Sequence, residues 1–434
     1  GPGLPCIIKS RLTMGSPYKM YNTYKRVLHI CPLIALGIIS FVSITTIKCT
    51  LMWWPPVLYG FVPSDYRSYG GAINLLVFLT LTSCTVLFFL KAMFIGPGHV
   101  PSSWHPIDSF CVREYIHHDL PLLTSNFNCN GINITDTLQF CEICKHYKAP
   151  RSHHCRKCNS CILKMDHHCP WINNCVGHFN HACFTLFLYF ATIASFYASV
   201  IMTCSLYQAI NADWYMYFGN PYQPFVYFDI TEFIVCILAL ALAIGVIISV
   251  GAQCILQLKS IVKNRTGIED WIIEKAKYRR QRINKCEKYD FIPEFVHPYN
   301  LGFWKNLSEV FTLSCQPLSD GIVWNVKEGC SQFSLTLEQV LQKEEKHRRT
   351  REYVVIKKYS GSKFPVSFGF NTCLRPPCTD DPRIPLDVGD SIKVTRSKDY
   401  WLYGQKVSEL NSCKGWFPRS CAVPKVEFSS KKIS

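Results

Sequence analysis

Charge is what this sequence is short of. Asp, Glu, Lys and Arg make up 18% of its 434 residues, where about 25% is usual for a soluble protein. That deficit points to a membrane, and together with 14% aromatics it excludes disordered and collagen-like chains. Acids are scarcer than bases, leaving a formal net charge of +16 on an apolar background, so the excess must be localised. A charged, short-core signal peptide is missing from the N-terminus, and the 24 cysteines are spread along a long chain. A secreted disulfide scaffold is therefore not expected, whereas thiols held reduced in the cytosol are free to bind metal. No internal repeat is evident.

What is present in quantity is long apolar sequence. Four runs, Val27 to Ile47, Ala72 to Ile95, Ala182 to Leu206 and Phe233 to Leu258, are each long enough to cross about 30 Å of hydrocarbon. Apart from Lys91 near one end, they contain no interior acid or base, which separates them from buried helices of a soluble protein. Basic residues flank spans on the cytosolic side. Lys9, Arg11, Lys19, Lys25 and Arg26 precede the first run without an acid, Lys259, Lys263 and Arg265 follow the fourth, and the stretch from Gln208 to Thr231 has no base. Both termini and the 96–181 loop are then expected in the cytosol. Within that loop Ile107 to Leu138 reads as a polar, irregular insert, whose Asn133-Ile134-Thr135 sequon should stay unmodified on this side.

The loop then reads CEICKHYKAPRSHHCRKCNSCILKMDHHCPWINNC from Cys141 to Cys175, with seven Cys and five His. Tetrahedral zinc takes four such ligands, and C-x-x-C pairs such as Cys141/Cys144 and Cys155/Cys158 bring two sulfurs to one metal. Two closed Cys3His sites would consume six of the seven thiols. The candidate spare is Cys169, which ends Asp166-His167-His168-Cys169. A thiol becomes a competent nucleophile when a neighbouring His takes or balances its proton, and Asp166 would orient His167 as the third member of a triad does. The alternative makes Cys169 one more metal ligand, as in a RING-like binding module, and His167 a surface residue.

These residues resemble the DHHC protein S-acyltransferases (palmitoyltransferases). The match is carried by Cys141, Cys144, Arg151, His154-Cys155, Asp166 to Cys169, Pro170-Trp171, Asn173-Asn174-Cys175, Gly177 and Asn180. The resemblance implies one zinc on Cys141, Cys144, His154 and Cys161, a second on Cys155, Cys158, His168 and Cys175, and Cys169 as the acylated nucleophile with His167 and Asp166. It also implies palmitoyl-CoA as donor, cysteine-containing membrane proteins as acceptors, and membrane lipid as the setting. Nucleic acid is not an expected partner, since membrane flanks account for the basic charge. Lys148, Arg151, Arg156, Lys157 and Lys164 either meet the CoA phosphates or form a solvated basic face. Shorter resemblances are Gly96-Pro97-Gly98, Thr266-Gly267-Ile268-Glu269 and Pro298 through Asn306, with Gly96 and Gly267 standing where the family has Asp and Thr.

Small residues recur at helical spacing in the third run, at Ala191, Ala194, Ser195, Ala198 and Met202. They serve either close helix packing or the end of an acyl tunnel, with Ala194 facing the chain and Ser195 a packing position. Beyond the fourth run, Ile268 to Arg282 is amphipathic and reads as a membrane-surface or a soluble helix. From Glu352 to Val423, short β-branched and aromatic runs resemble an SH3 domain: Leu386 to Asp390, Trp401 and Gly415-Trp416-Phe417-Pro418 stand at the acidic-turn, groove and Gly-x-x-Pro positions. Val355 to Tyr359 and Cys421 replace aromatics that would grip a proline-rich ligand. DHHC enzymes with such a tail form an endoplasmic reticulum subgroup, which implies a membrane partner such as selenoprotein K. Lys431-Lys432-Ile433-Ser434 reads as a dilysine retrieval signal. The expected fold is thus a membrane all-α core of four transmembrane helices with a cytosolic two-zinc cysteine-rich loop, plus a C-terminal all-β SH3-like barrel. Its expected parts are a 1–26 segment, a 27–258 core containing the 139–181 zinc domain, a membrane-associated 259–350 segment, a 351–425 SH3-like domain and a 426–434 tail.

Overall fold

Apolar runs of this length satisfy their backbone only as helices, and the computed structural model has four among the described residues: α1 (Ile30–Trp53), α2 (Tyr69–Phe94), α3 (His181–Ile210) and α5 (Ile230–Val262), with a short α4 (Ala212–Phe218) after α3. The structure describes residues 26–55, 68–102, 104–105, 138–219, 225–285, 292–379, 381–407 and 414–425. The sequon, nearly all of the 107–138 insert and the dilysine tail lie outside them. The chain forms two compact units, residues 1–337 and 338–434, dividing within the helix α8 (Ser334–Arg348).

In the first unit α3 is central, against α2 and α5 and, less extensively, α1. Helix starts follow their caps. Asp229 and Glu232 form a capping box on α5, and Thr266 and Glu269 another on α6 (Gly267–Asn284). At the ends of α1 and α5 remote from the cysteine-rich region, Lys48 pairs with Glu232 and the Cys49 and Cys236 sulfurs lie 3.8 Å apart.

Residues 139–176 fold as three short hairpins: β1 (Phe140–Cys141) with β2 (His146–Tyr147), β3 (His153–Cys155) with β4 (Ser160–Ile162), and β5 (His167–Cys169) with β6 (Asn174–Val176). Such strands bury little apolar surface, so side-chain amides hold them to the spans. A helix leaves its last carbonyls without intrahelical partners. Asn180 donates to Ala92 O (3.0 Å) and Asn174 to Met93 O (3.2 Å), both at the end of α2. Gly177 passes so close that a Cβ would meet Pro97 O at 2.7 Å and Ile162 Cγ2 at 2.8 Å, which excludes any side chain there.

A buried ion pair ties the hairpins to the segment after α5. Arg151 Nε and Nη2 donate to Glu269 Oε1 and Oε2 at 2.6 and 2.8 Å, Nη1 donates to Asn264 Oδ1, and the guanidinium lies 4.2 Å from the Tyr299 ring centre and 4.5 Å from that of Trp324. Glu269 is the same residue that caps α6, so one carboxylate fixes both the helix start and its partner. The apolar face of α6, Ile272, Ile273 and Ala276, is covered by Phe295, Tyr299, Trp324 and Leu335. This settles the Ile268–Arg282 alternatives for that face in favour of a helix packed on protein. Asn306, in α7 (Phe303–Ser308), donates to Val262 O at 2.7 Å and closes the end of α5.

The second unit carries a five-stranded antiparallel sheet, the strand content of an SH3-like fold. Its strands β7 (Arg351–Val355), β8 (Ser391–Lys398), β9 (Trp401–Lys406), β10 (Lys414–Pro418) and β11 (Ala422–Pro424) run in the order β10-β9-β8-β7-β11. Val355, Tyr359, Leu386, Ile392, Leu402, Phe417 and Cys421 form its core, so Cys421 fills interior volume. Trp401, at the position expected to wall a ligand groove, is wholly buried. Its indole Nε1 donates to Thr372 O (3.1 Å) in the short helix α9 (Phe370–Leu374), and Arg383 lies over its ring. The chain itself therefore covers this position.

Replacing Arg151 by Met strands Glu269 as a buried lone charge, and the expected cost is about 3–5 kcal/mol. Adding Glu269→Leu is expected to recover most of it in thermal unfolding of the purified protein. In the second unit, a labelled proline-rich peptide titrated onto the full chain is expected to show no saturable anisotropy change below about 1 mM.

Candidate active site and metal clusters

Pleated strands point successive side chains to opposite faces, and this sorts the Asp166-His167-His168-Cys169 run. His168 faces Cys175 across the β5–β6 hairpin, while His167 and Cys169, two residues apart, share the other face. The hairpins repeat one device. A C-x-x-C turn folds its second amide back to the first sulfur, with Cys144 N to Cys141 Sγ and Cys158 N to Cys155 Sγ both 3.4 Å. The next residue in each, Lys145 and Asn159, turns left-handed at φ 56° and 51°. Each turn then meets a cross-strand pair of the following hairpin, His154 with Cys161 or His168 with Cys175.

Two clusters result, Cys141, Cys144, His154 and Cys161, and Cys155, Cys158, His168 and Cys175, with the ligand atoms of each within 4.8 Å of one another. They are the two sets of four that the family resemblance implies. The histidines turn Nδ1 inward, 3.5, 3.3 and 4.0 Å from the sulfurs of the first cluster and 3.6, 3.4 and 3.6 Å in the second. Bonds of about 2.3 Å to sulfur and 2.0–2.1 Å to nitrogen give tetrahedral edges of roughly 3.5–3.8 Å, so both donor sets fit a metal ion of that kind. Cys169 belongs to neither cluster.

The other face of β5 opens on the membrane core. His167 and Cys169, with Pro170 and Trp171, line the same cavity of about 470 Å³ as Ala35, Ile38 and Val42 of α1, Phe78 and Thr85 of α2, Phe184, Phe187, Leu188, Ala191, Ala194 and Ser195 of α3, and Val246 and Val250 of α5. Ser195 lines it together with Ala194. Ser195, expected mainly as a packing position, thus shares the cavity wall with Ala194 on the same turn of α3. Ala198 and Met202, farther along, are in the core between helices.

His167 Nδ1 donates to Asp166 Oδ2 at 2.7 Å, and its ring meets the Phe184 ring edge to face. Burial opposes a charge on His167, but the Asp166 hydrogen bond and then the Cys169 sulfur outweigh it and raise the imidazole to about 9. Burial likewise opposes the Asp166 charge. The His167 hydrogen bond, the nearby His181 and His167 rings and the Gly267 N–H, 2.6 Å from Oδ1, hold its carboxyl well below the usual range. Gly267 stands where the family has Thr, and its backbone N–H at the start of α6 supplies a donor without a side chain.

Among the basic residues considered for CoA phosphates, Arg151 is excluded, because its donors are consumed by Glu269 and Asn264 inside the protein. Lys164 is also buried, over the Trp324 ring, and burial followed by the Arg151 charge lowers its ammonium to about 7. Arg156 and Lys157 are exposed and Lys148 is half-buried. The residue that sequence reading missed is Gln257, whose amide donates to Asp166 Oδ2 at 3.0 Å. A polar side chain near the end of an apolar span was the available signal.

Residues 134–274 match the family model described as DHHC palmitoyltransferase. The chain is 39% identical over 415 residues to Palmitoyltransferase ZDHHC6 of Bos taurus, covering 92% of this chain and 91% of that protein. It is 40% identical over 421 residues to the protein of that name from Danio rerio, covering 93% of each. Probable protein S-acyltransferase 15 of Arabidopsis thaliana is 31% identical over 245 residues, 56% of this chain and 81% of that protein. Relatives matched along nearly the whole length, two Cys/His clusters and a seventh thiol turned to an apolar cavity agree on one conclusion: this chain belongs to the DHHC palmitoyltransferases, membrane enzymes that S-palmitoylate proteins.

Proposed function

We propose that Cys169 is the acylated nucleophile, that palmitoyl-CoA is the donor and that cysteines of membrane proteins are the acceptors. One observation carries this reading: Cys169 and His167 line an apolar cavity running among all four spans, where a thioester at the thiol can place its acyl chain in hydrocarbon. The Cys169 thiolate attacks the thioester carbonyl and CoA leaves as its thiolate. The acceptor's thiolate then attacks acyl-Cys169 and releases the Cys169 thiolate. His167, oriented by Asp166, takes and returns the proton in each step. One thioester is exchanged for another, so the transfer requires no energy input.

The eight cluster residues would hold two structural zinc ions, whose binding contributes about 10–16 kcal/mol per site in small zinc domains and would fix hairpins that have little core of their own. With four protein ligands per ion no position is left open for chemistry. Lys148, Arg156 and Lys157 are the bases left to meet CoA phosphates. The basic flanks support a topology with both termini and the zinc loop in the cytosol. The SH3-like unit, which resembles the tail of the family's endoplasmic reticulum subgroup, supports that membrane as the location, and a membrane partner such as selenoprotein K would engage this unit away from the covered Trp401.

Cys169→Ser is expected to abolish hydroxylamine-labile labelling by palmitoyl-CoA while zinc remains at two per chain. A fall to one zinc would make Cys169 a ligand and overturn the assignment. Chain length supplies a second check. Ala194 lies twelve residues beyond Ala182, about 18 Å along the helix, and a sixteen-carbon chain reaches about as far. Ala194→Phe is expected to move preference from C16 towards C14 acyl-CoA, and Ser195→Phe to do the same, in a competition assay scored on Cys169 acylation.

A further inference from the structure

Gln257 and His181 are buried polar side chains on two membrane-spanning helices, α5 and α3, each 3% exposed. Neither belongs to a metal cluster or to the Asp166–His167–Cys169 group. Polar groups in a span are costly unless they are paired, and they persist where they serve a function. These two are paired with each other and with the active site. His181 Nε2 lies 2.8 Å from Gln257 Oε1, Gln257 Nε2 lies 3.0 Å from Asp166 Oδ2, and Asp166 Oδ2 lies 2.7 Å from His167 Nδ1.

The chemistry of the groups fixes the direction of every bond. Asp166 as a carboxylate accepts only, so Gln257 must turn its NH2 towards it; turned over, the amide would set oxygen against oxygen. Gln257 Oε1 is then left needing a donor, which places the His181 ring proton on Nε2. The same carboxylate oxygen accepts from His167 Nδ1–H, leaving His167 Nε2 for the thiol side. Asp166 Oδ1 is held separately by the Gly267 N–H. Three donors from three segments thus set the carboxylate's position and plane, and of the three only Gln257 does so from within a span.

We propose that Gln257, itself oriented by His181, is a positioning residue for Cys169 acylation: it holds the Asp166 carboxylate in the place from which Asp166 orients His167. This rests on the role given above to Asp166 and His167. The chain of contacts also joins the helix wall of the acyl cavity to the reacting group, because α3 and α5 both line that cavity.

The test is single-turnover acylation of Cys169 by labelled palmitoyl-CoA, with the full-length protein in lipid nanodiscs and zinc measured on each variant. Gln257→Met keeps the volume and removes both hydrogen bonds. Its maximal rate is expected to fall about tenfold or more with two zinc ions retained and the half-saturating donor concentration within about twofold of the parent. His181→Phe is expected to fall less, and the double variant to equal Gln257→Met, because residues acting through one another are not additive. In an Asp166→Asn background, Gln257→Met is expected to add nothing. A parental rate in Gln257→Met overturns the proposal, as does a full additional loss in the Asp166→Asn background, which would mean that Gln257 supports helix packing independently. Should Gln257→Met lose zinc, Gln257→Asn, which keeps an amide but draws it back by one methylene, carries the same expectation and is decided by the same rate. Asp166→Asn acylating at the parental rate would instead overturn the role of Asp166 itself, and the proposal with it.

Discussion

A guanidinium taken out of water must be met on every donor, and the pairing of Arg151 with Glu269 is the constraint on which the rest of this enzyme's cysteine-rich region depends. Arg151 comes from the linker between the first two hairpins, and Glu269 from the first turn of α6. Because Glu269 also caps Thr266, the ion pair fixes where α6 begins. The start of α6 then presents the Gly267 N–H to Asp166. A contact some distance along the chain from Cys169 thereby determines the position of the carboxylate that orients its histidine. Burial of such a pair contributes little net stability, since desolvation offsets most of the attraction. Its effect is to reject other arrangements of the loop, in which either charge would be left alone.

The second organising fact is the period of a β-strand. Asp166-His167-His168-Cys169 looks crowded when read as four consecutive letters. On a pleated strand His168 leaves by one face to the Cys/His cluster, while His167 and Cys169 leave by the other to the apolar cavity among the spans. The rigid hairpin that the cluster holds is therefore the same object that aims the thiol, and loss of the cluster would be felt at the cavity mouth without any ligand touching substrate. The asparagines that clasp the hairpins to the end of α2 bring this object to the membrane surface.

Gly267 shows how a departure from the family's pattern is absorbed. The Asp166 carboxylate takes this bond from the Gly267 backbone N–H, which any residue but proline at that helix start would offer, so the contact does not depend on the side chain.

The sequence by itself determined the four spans and the count of seven thiols in the loop, because these are signals of composition and spacing: hydrocarbon thickness sets a run length, and tetrahedral coordination sets a ligand count; which Cys and His share a metal came only with the family resemblance. It also determined that Asp166, His167 and Cys169 belong together, since they are neighbours in the chain. Only the tertiary structure decided which basic residues face inward, for Arg151 and Lys148 look alike in sequence and differ in whether Glu269, 118 positions away, is there to meet them. It decided likewise that Ser195 shares the cavity with Ala194, that Trp401 is covered by Thr372, and that Gln257 reaches Asp166. Each of these depends on partners distant in the chain, and hydrogen bonding and burial act on distances in space, which no local pattern of residues records.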